Sequence, residues 1–161
     1  RIGSLYLFKG SDRFRLISLG SGLTPYFVTM SLERFLQAQE KTYAGALAEL
    51  QAGKKTGHWI WWILPQDKRP NVSERSVLYA LADEAEASAY LQHPILGARY
   101  RECVAAVYVH LCHGGVDPEA LMGSDTDVKK LRSSLNCFLK VAPEDDFVFR
   151  GQAQDILKVS G

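Results

Sequence analysis

From residue 31 onward, apolar side chains return every three or four positions, and that spacing restricts the fold more than any single motif does. Leu32, Phe35, Leu36, Gln39, Tyr43, Ala46, Leu47 and Leu50 fall on one face of a helix of about twenty residues. Ser31 stands where an N-cap belongs, and Gly53 stands where a left-handed residue ends a helix. Lys54 and Lys55 follow at the negative end of the helix dipole and read as solvated. The period then resumes. Asp83 caps an acidic first turn running to Gln92. Pro94 opens a helix carrying Leu96, Tyr100, Cys103, Val104, Val107 and Leu111 on one face, which Gly114-Gly115 ends. Asp117-Pro118-Glu119 starts a short helix closed by Gly123, and Ser124 or Asp125 caps the next, with Val128, Leu131, Leu135, Phe138 and Leu139. A last amphipathic stretch after Pro143 carries Phe147, Phe149, Ile156 and Leu157. No strand pattern of comparable quality follows Met30, so the expectation is an all-α, single multi-helical globular domain of about six helices over residues 30–161.

Composition narrows the function classes. A chain of 161 residues with 47% apolar side chains is long enough for one ordinary core. Its uncharged runs fall short of the ~20 residues a membrane span needs. A formal charge of +1 argues against a dedicated nucleic-acid binder. Three cysteines at irregular spacing make no disulfide framework, which points to a reducing compartment. Residues 1–29 have a different texture. They hold Arg1, Lys9, Arg13 and Arg15 against Asp12, so 15 of the 19 basic and 17 of the 18 acidic groups lie in the rest of the chain. Leu5-Tyr6-Leu7-Phe8 and Phe14-Arg15-Leu16-Ile17 could pair as a hairpin. The segment equally reads as an extension to the domain: a tag, a leader or a misread start.

Chemistry-bearing residues gather at a few places, each with a plainer structural reading beside it. Trp59, Trp61 and Trp62 hold all the tryptophan in four positions, next to His58 and followed by Gln66. Indoles suit stacking on a flat ring and equally suit anchoring a core. On a continuous helix Trp59 and Trp62 would share a face while Trp61 points elsewhere. His93-Pro94 lies at a helix junction, where His93 could shuttle protons with Arg99 and Arg101 as anion partners, or hold the turn by a backbone hydrogen bond. Gly123-Ser124-Asp125 leads into Lys130, Ser133 and Ser134, an arrangement open to anions but also explained by capping. His110-x-Cys112-His113 cannot converge on one metal ion without unwinding its helix, so no metal or cofactor is expected. Lys54-Lys55 and Lys68-Arg69 flank the tryptophans as a thin basic patch of solvated ends.

Phe35-Leu36-x-Ala38-Gln39, His58-Trp59-x-Trp61, Pro65-Gln66, Tyr79-Ala80, Glu84-Ala85, Tyr90-Leu91-x-His93-Pro94-x-Leu96-Gly97-x-Arg99, Gly123-Ser124 and Lys130-Leu131-x-Ser133-Ser134-Leu135-x-x-Phe138 occur in that order. The series resembles a bacterial family of domains of unknown function, sometimes mislabelled calpastatin and typified by a mycobacterial multi-helical protein. The resemblance covers nearly all of residues 31–158 and implies an all-helical, cytoplasmic protein without an established activity. It departs at Asp67-Lys68-Arg69-Pro70, where the family usually has a Gly-rich loop, and at Met122, where it usually has Phe. Tyr90-Leu91-x-His93-Pro94-x-Leu96 is also faintly similar to a motif of helical N-glycosidases acting on ADP-ribose compounds.

Two classes of function follow. In the first, Trp59, Trp62, Gln66, Tyr79, Arg99, Lys130 and Ser133 line a pocket for a small phosphorylated or nucleotide-like ligand. A catalytic version would draw on His58, Glu84, His93 and Glu102, with a carboxylate as base for hydrolysis at a glycosidic carbon. In the second, the protein is a non-catalytic module that binds a protein partner or a second copy of itself, as a homo-oligomer.

Overall fold

The computed structural model describes residues 25–70 and 72–161, with side chains from residue 31 onward. The expected hairpin, and most of the expected N-terminal extension, lie outside the described residues. Helices α1 (Pro25–Glu40), α2 (Tyr43–Gln51), α3 (Ile60–Ile63), α4 (Glu74–Leu78) and α5 (Glu84–Gln92) come first. Helix α6 (Leu96–Tyr108) runs on into a π-helical turn (Val109–His113), and α7 (Pro118–Met122), α8 (Asp125–Val141) and α9 (Phe147–Val159) follow. Among the described residues there is no β-strand, only an isolated bridge between Asp67 and Leu81. The all-α expectation holds.

The count and two boundaries differ from expectation. Nine α-helices stand among the described residues where about six were expected. Ser31 is not a cap, because α1 already begins at Pro25, a residue whose missing N–H costs nothing at the first helical position. The expected single helix over residues 31–50 breaks at Lys41-Thr42. The Thr42 hydroxyl turns back to donate to the Ala38 carbonyl at 2.6 Å and accepts the Trp62 indole N–H at 2.9 Å. A threonine engaged in this way competes with the helix ladder. The remaining additions, α3 and α4, are single turns. For the apolar Trp segment the sequence admits either a buried helical turn or a short extended piece, and α3 is the turn. Helix α4 lies in a charged stretch without helical period.

Capping follows the sequence closely elsewhere. Asp83, Asp117 and Ser124 each accept a backbone N–H from three residues on, at 2.8, 3.0 and 3.2 Å. Gly53 and Gly123 take the left-handed conformation that stops α2 and α7.

Helix α6 lies at the centre, packed on α2, α5 and α9, while α8 packs on α5. Their shared interior is aromatic. Tyr90 stands edge-on to Phe35 at 5.1 Å, and Tyr100 meets Phe138 at 4.2 Å and Phe149 at 5.8 Å. Both tyrosines are fully buried, so each hydroxyl needs a partner. Gln39 Nε2 donates to Tyr90 at 2.9 Å, and Tyr100 shares a hydrogen bond of 2.9 Å with Ser134. Burial pushes the Cys103 thiol up to about 12, which leaves it an inert core residue. Arg34 of α1 spans to α5, bonding Glu86 at 2.7 Å and the Ala80 carbonyl at 2.8 Å.

At Gly97 the backbone of α6 comes up against that of α5. A Cβ placed there would sit 2.0 Å from the Leu91 carbonyl oxygen, a backbone atom that cannot swing aside. Gly97→Ala is therefore expected to lower stability by about 2 kcal/mol through overpacking. The midpoint of urea unfolding reads this directly, and an unchanged midpoint would contradict the close approach.

Candidate functional site

The loop after α2 is fastened before it can present anything. Glu49 near the end of α2 accepts three hydrogen bonds of 2.8 Å, from the amides of Thr56 and Gly57 and from the Trp59 indole. Partial burial raises its carboxyl, but the Gly57 and Thr56 amides and the indole outweigh that and hold it at about 2. Lys55, read from sequence as solvated, is buried. Its ammonium meets Asp127 of α8 at 2.7 Å, donates to the Gly57 carbonyl at 2.8 Å, and lies 5.1 Å from the Trp59 ring. Only a partner 72 positions away in sequence makes that burial tolerable, so local pattern could not reveal it.

This anchorage sends the three indoles in different directions. Helix α3 starts only at Ile60, so Trp59 precedes it and does not share a face with Trp62. Trp59 turns toward Glu49. Trp62 bonds Thr42 and packs on Tyr79, 5.1 Å between centroids. Trp61 lies beside Trp62 at 6.1 Å and is half-buried. Its indole N–H donates to Ser76 at 3.1 Å, the Lys130 ammonium stands 4.7 Å from its ring, and the Arg75 guanidinium stands 5.3 Å away.

Helix α8 completes this corner. Asp127 takes Lys130 at 3.0 Å on one oxygen and Lys55 on the other. Burial works to raise the Asp127 carboxyl, and the hydrogen bonds and charges of Lys55 and Lys130 overcome it and hold it below its usual range. Three residues beyond Lys130, Ser133 accepts a hydrogen bond from Arg69. Gln66 precedes Arg69 on the same segment, its carbonyl bonded to the Leu81 amide at 2.9 Å. The Gln66 Oε1 is buried without a hydrogen-bond partner among the described residues.

A second polar group lies on the other flank of Trp62. Buried Gln39 donates to the Trp62 carbonyl at 2.8 Å and accepts from Arg99 at 3.3 Å. The Arg99 guanidinium stands 4.7 Å from the Tyr43 ring, and the Tyr43 hydroxyl donates to Glu102. Beside Glu102 opens a groove of about 370 Å³ lined chiefly by Leu47, Ala105, Ala106 and Val109, with His110 among its walls.

Of the residues named from sequence, Trp62, Tyr79, Lys130 and Ser133 thus belong to one neighbourhood centred on Trp61. Arg99 and Glu102 belong to the other, linked to Trp62 through Gln39 and Tyr43. His58 and Glu84 are exposed and share no described contact with either group. His93 Nδ1 accepts the amides of Ile95 and Leu96 at 3.2 and 3.3 Å, capping α6. No group of three His, Cys, Asp or Glu side chains able to hold a metal stands among the described residues. The sequence reading missed Arg75, which lies in a stretch without period. It also missed the inward use of Asp127, although the i, i+3 pairing with Lys130 was visible.

Residues 29–157 match the profile of a family described as protein of unknown function, DUF1810. The chain belongs to this family. The DUF1810 chain is also similar to the crystal structure of the conserved hypothetical protein Rv1873 from Mycobacterium tuberculosis. The two are 33% identical with a TM-score of 0.70, over 81% of this chain and 86% of that one. No curated protein matches it. Among the described residues of the DUF1810 chain, no helix is long and apolar enough to cross a membrane.

Two predictions follow from the anchorage. Lys55→Met should destabilise the protein by about 3 kcal/mol, because it leaves the partly buried Asp127 carboxylate with Lys130 as its one remaining ion-pair partner. Lys55→Met combined with Asp127→Asn should recover part of that loss, and chemical denaturation of the set checks both. Glu49 has its folded value lowered from 4.5 to about 2, so its contribution is complete above 4.5 and fades as pH falls toward 2. Glu49→Gln should therefore flatten the acid limb of the stability profile.

Proposed function

We propose that the corner around Trp61 binds a small phosphorylated or nucleotide-like molecule. The observation that carries this reading is the company Trp61 keeps. Lys130 and Arg75 lie against its ring, and Ser133, one turn further along α8, accepts from Arg69. Arg75 has no carboxylate partner among the described residues, whereas Asp127 tethers Lys130. Arg75 is therefore the side chain a flat ring displaces, swinging from the indole face to meet the anion while the ring stacks in its place. Gln66, whose buried acceptor meets no donor among the described residues, lies on the segment that supplies Arg69.

Titration with adenosine 5′-monophosphate and ADP-ribose tests the reading through tryptophan fluorescence and thermal melting. At 100 times the dissociation constant a ligand adds about 2.7 kcal/mol of stability. Lys130→Ala and Arg75→Ala should each weaken binding roughly tenfold, and Trp61→Phe should remove most of the fluorescence response. Absence of any melting or fluorescence shift across the panel would overturn the proposal.

The open groove beside Glu102 favours a second reading, a protein-interaction or self-association module. Its walls are apolar, and Val109 at its edge is 54% exposed. Val109→Glu would then dissociate an oligomer seen in sedimentation. The hydrolase reading gains nothing from the geometry, since His93 Nδ1 is spent on two backbone amides.

A further inference from the structure

We infer that the anion received at the Trp61 corner is a phosphomonoester in its dianionic form. This rests on the reading above and specifies its ligand. The argument is one of charge. Arg75 of α4 and Lys130 of α8 lie by the Trp61 ring, and Arg69, from the segment before α4, bonds Ser133 one turn along α8 from Lys130. Asp127, the nearest carboxylate to Lys130, is already matched by buried Lys55, so that pair cancels. Asp67 stands 3.8 Å from Arg69, with both side chains well exposed, and offsets one guanidinium. Of the other exposed groups, Lys68 and Glu74 cancel in sign, as do Lys140 and Glu84 around Cys137 on the next turn of α8. An excess of two positive charges remains. The groups counted are guanidinium, ammonium and carboxylate, with no imidazole among them, so the excess holds through neutral pH.

A monoester fits that excess, carrying close to two negative charges at neutral pH with a second ionisation near 6. A phosphodiester, a sulfate ester or a carboxylate brings only one. The donors also fit its three terminal oxygens: two guanidinium forks, one ammonium, and the hydroxyl of Ser133. Ser133 accepts from Arg69 and so keeps its own hydrogen to donate. Lys130, half-buried and held by Asp127, is the fixed member, and the two arginines close on the ligand.

The test compares adenosine 5′-monophosphate, its cyclic 3′,5′-diester and adenosine by calorimetric titration of the whole chain. The monoester should bind about tenfold tighter than the cyclic diester near pH 7.5. That margin should close as pH falls toward about 5 through the phosphate ionisation, while the cyclic diester, a monoanion throughout, holds its affinity. Arg69→Gln should narrow the margin without lowering the melting temperature. Equal binding of the two nucleotides, or a margin that persists at low pH, overturns this inference and leaves the Trp61 site standing. Failure of both nucleotides to bind overturns the site and the inference together.

Discussion

One buried ion pair organises this protein. Lys55 and Asp127 join the loop after α2 to the first turn of α8, across a distance in sequence that spans almost half the chain. Removing two charges from water is costly, and the cost is offset only because each group has more than one partner. Lys55 also holds the Gly57 carbonyl, Asp127 also holds Lys130, and three donors converge on Glu49 just behind them. The direction each indole takes is a consequence. Loop 54–59 has little freedom left, and the single turn of α3 leaves it already oriented.

Around that anchorage the fold divides its labour. The interior of α5, α6 and α8 is an aromatic stack whose few polar atoms are satisfied inside the stack, by Gln39 and Ser134. Unspent polarity collects instead where single-turn helices meet long ones. Trp62 is the hinge of this arrangement. One side of it leads through Gln39 to Arg99, Tyr43 and Glu102, and the other leads through Tyr79 and Trp61 to Lys130. One indole and one buried amide thus connect the two flanks.

The long helices were legible in the sequence because each carries its own period and its own cap: Asp83, Asp117 and Ser124 act where local chemistry puts them. Gly53 and Gly123 likewise mark real helix ends. What the sequence hid is long-range. The break at Thr42 depends on a hydrogen bond from Trp62, and the burial of Lys55 depends on Asp127, so neither leaves a local trace. The candidate site was half legible. Lys130 and Ser133 share a helix face that periodicity exposes, whereas Arg75 comes from a stretch of Pro, Ser and charge with no rhythm to read.

The π-helical turn at Val109–His113 gives α6 one residue more than an α-helical turn would hold. That surplus sets the angle at which His110 leaves the helix, with its Nε2 2.8 Å from the Gln51 carbonyl and its ring 3.0 Å from where a Cβ on Gly53 would stand. Shortening the turn by one position would rotate His110 away from the end of α2. The groove wall formed by Leu47 and Val109 would then lose its latch, so the width of that furrow is written in a single surplus residue.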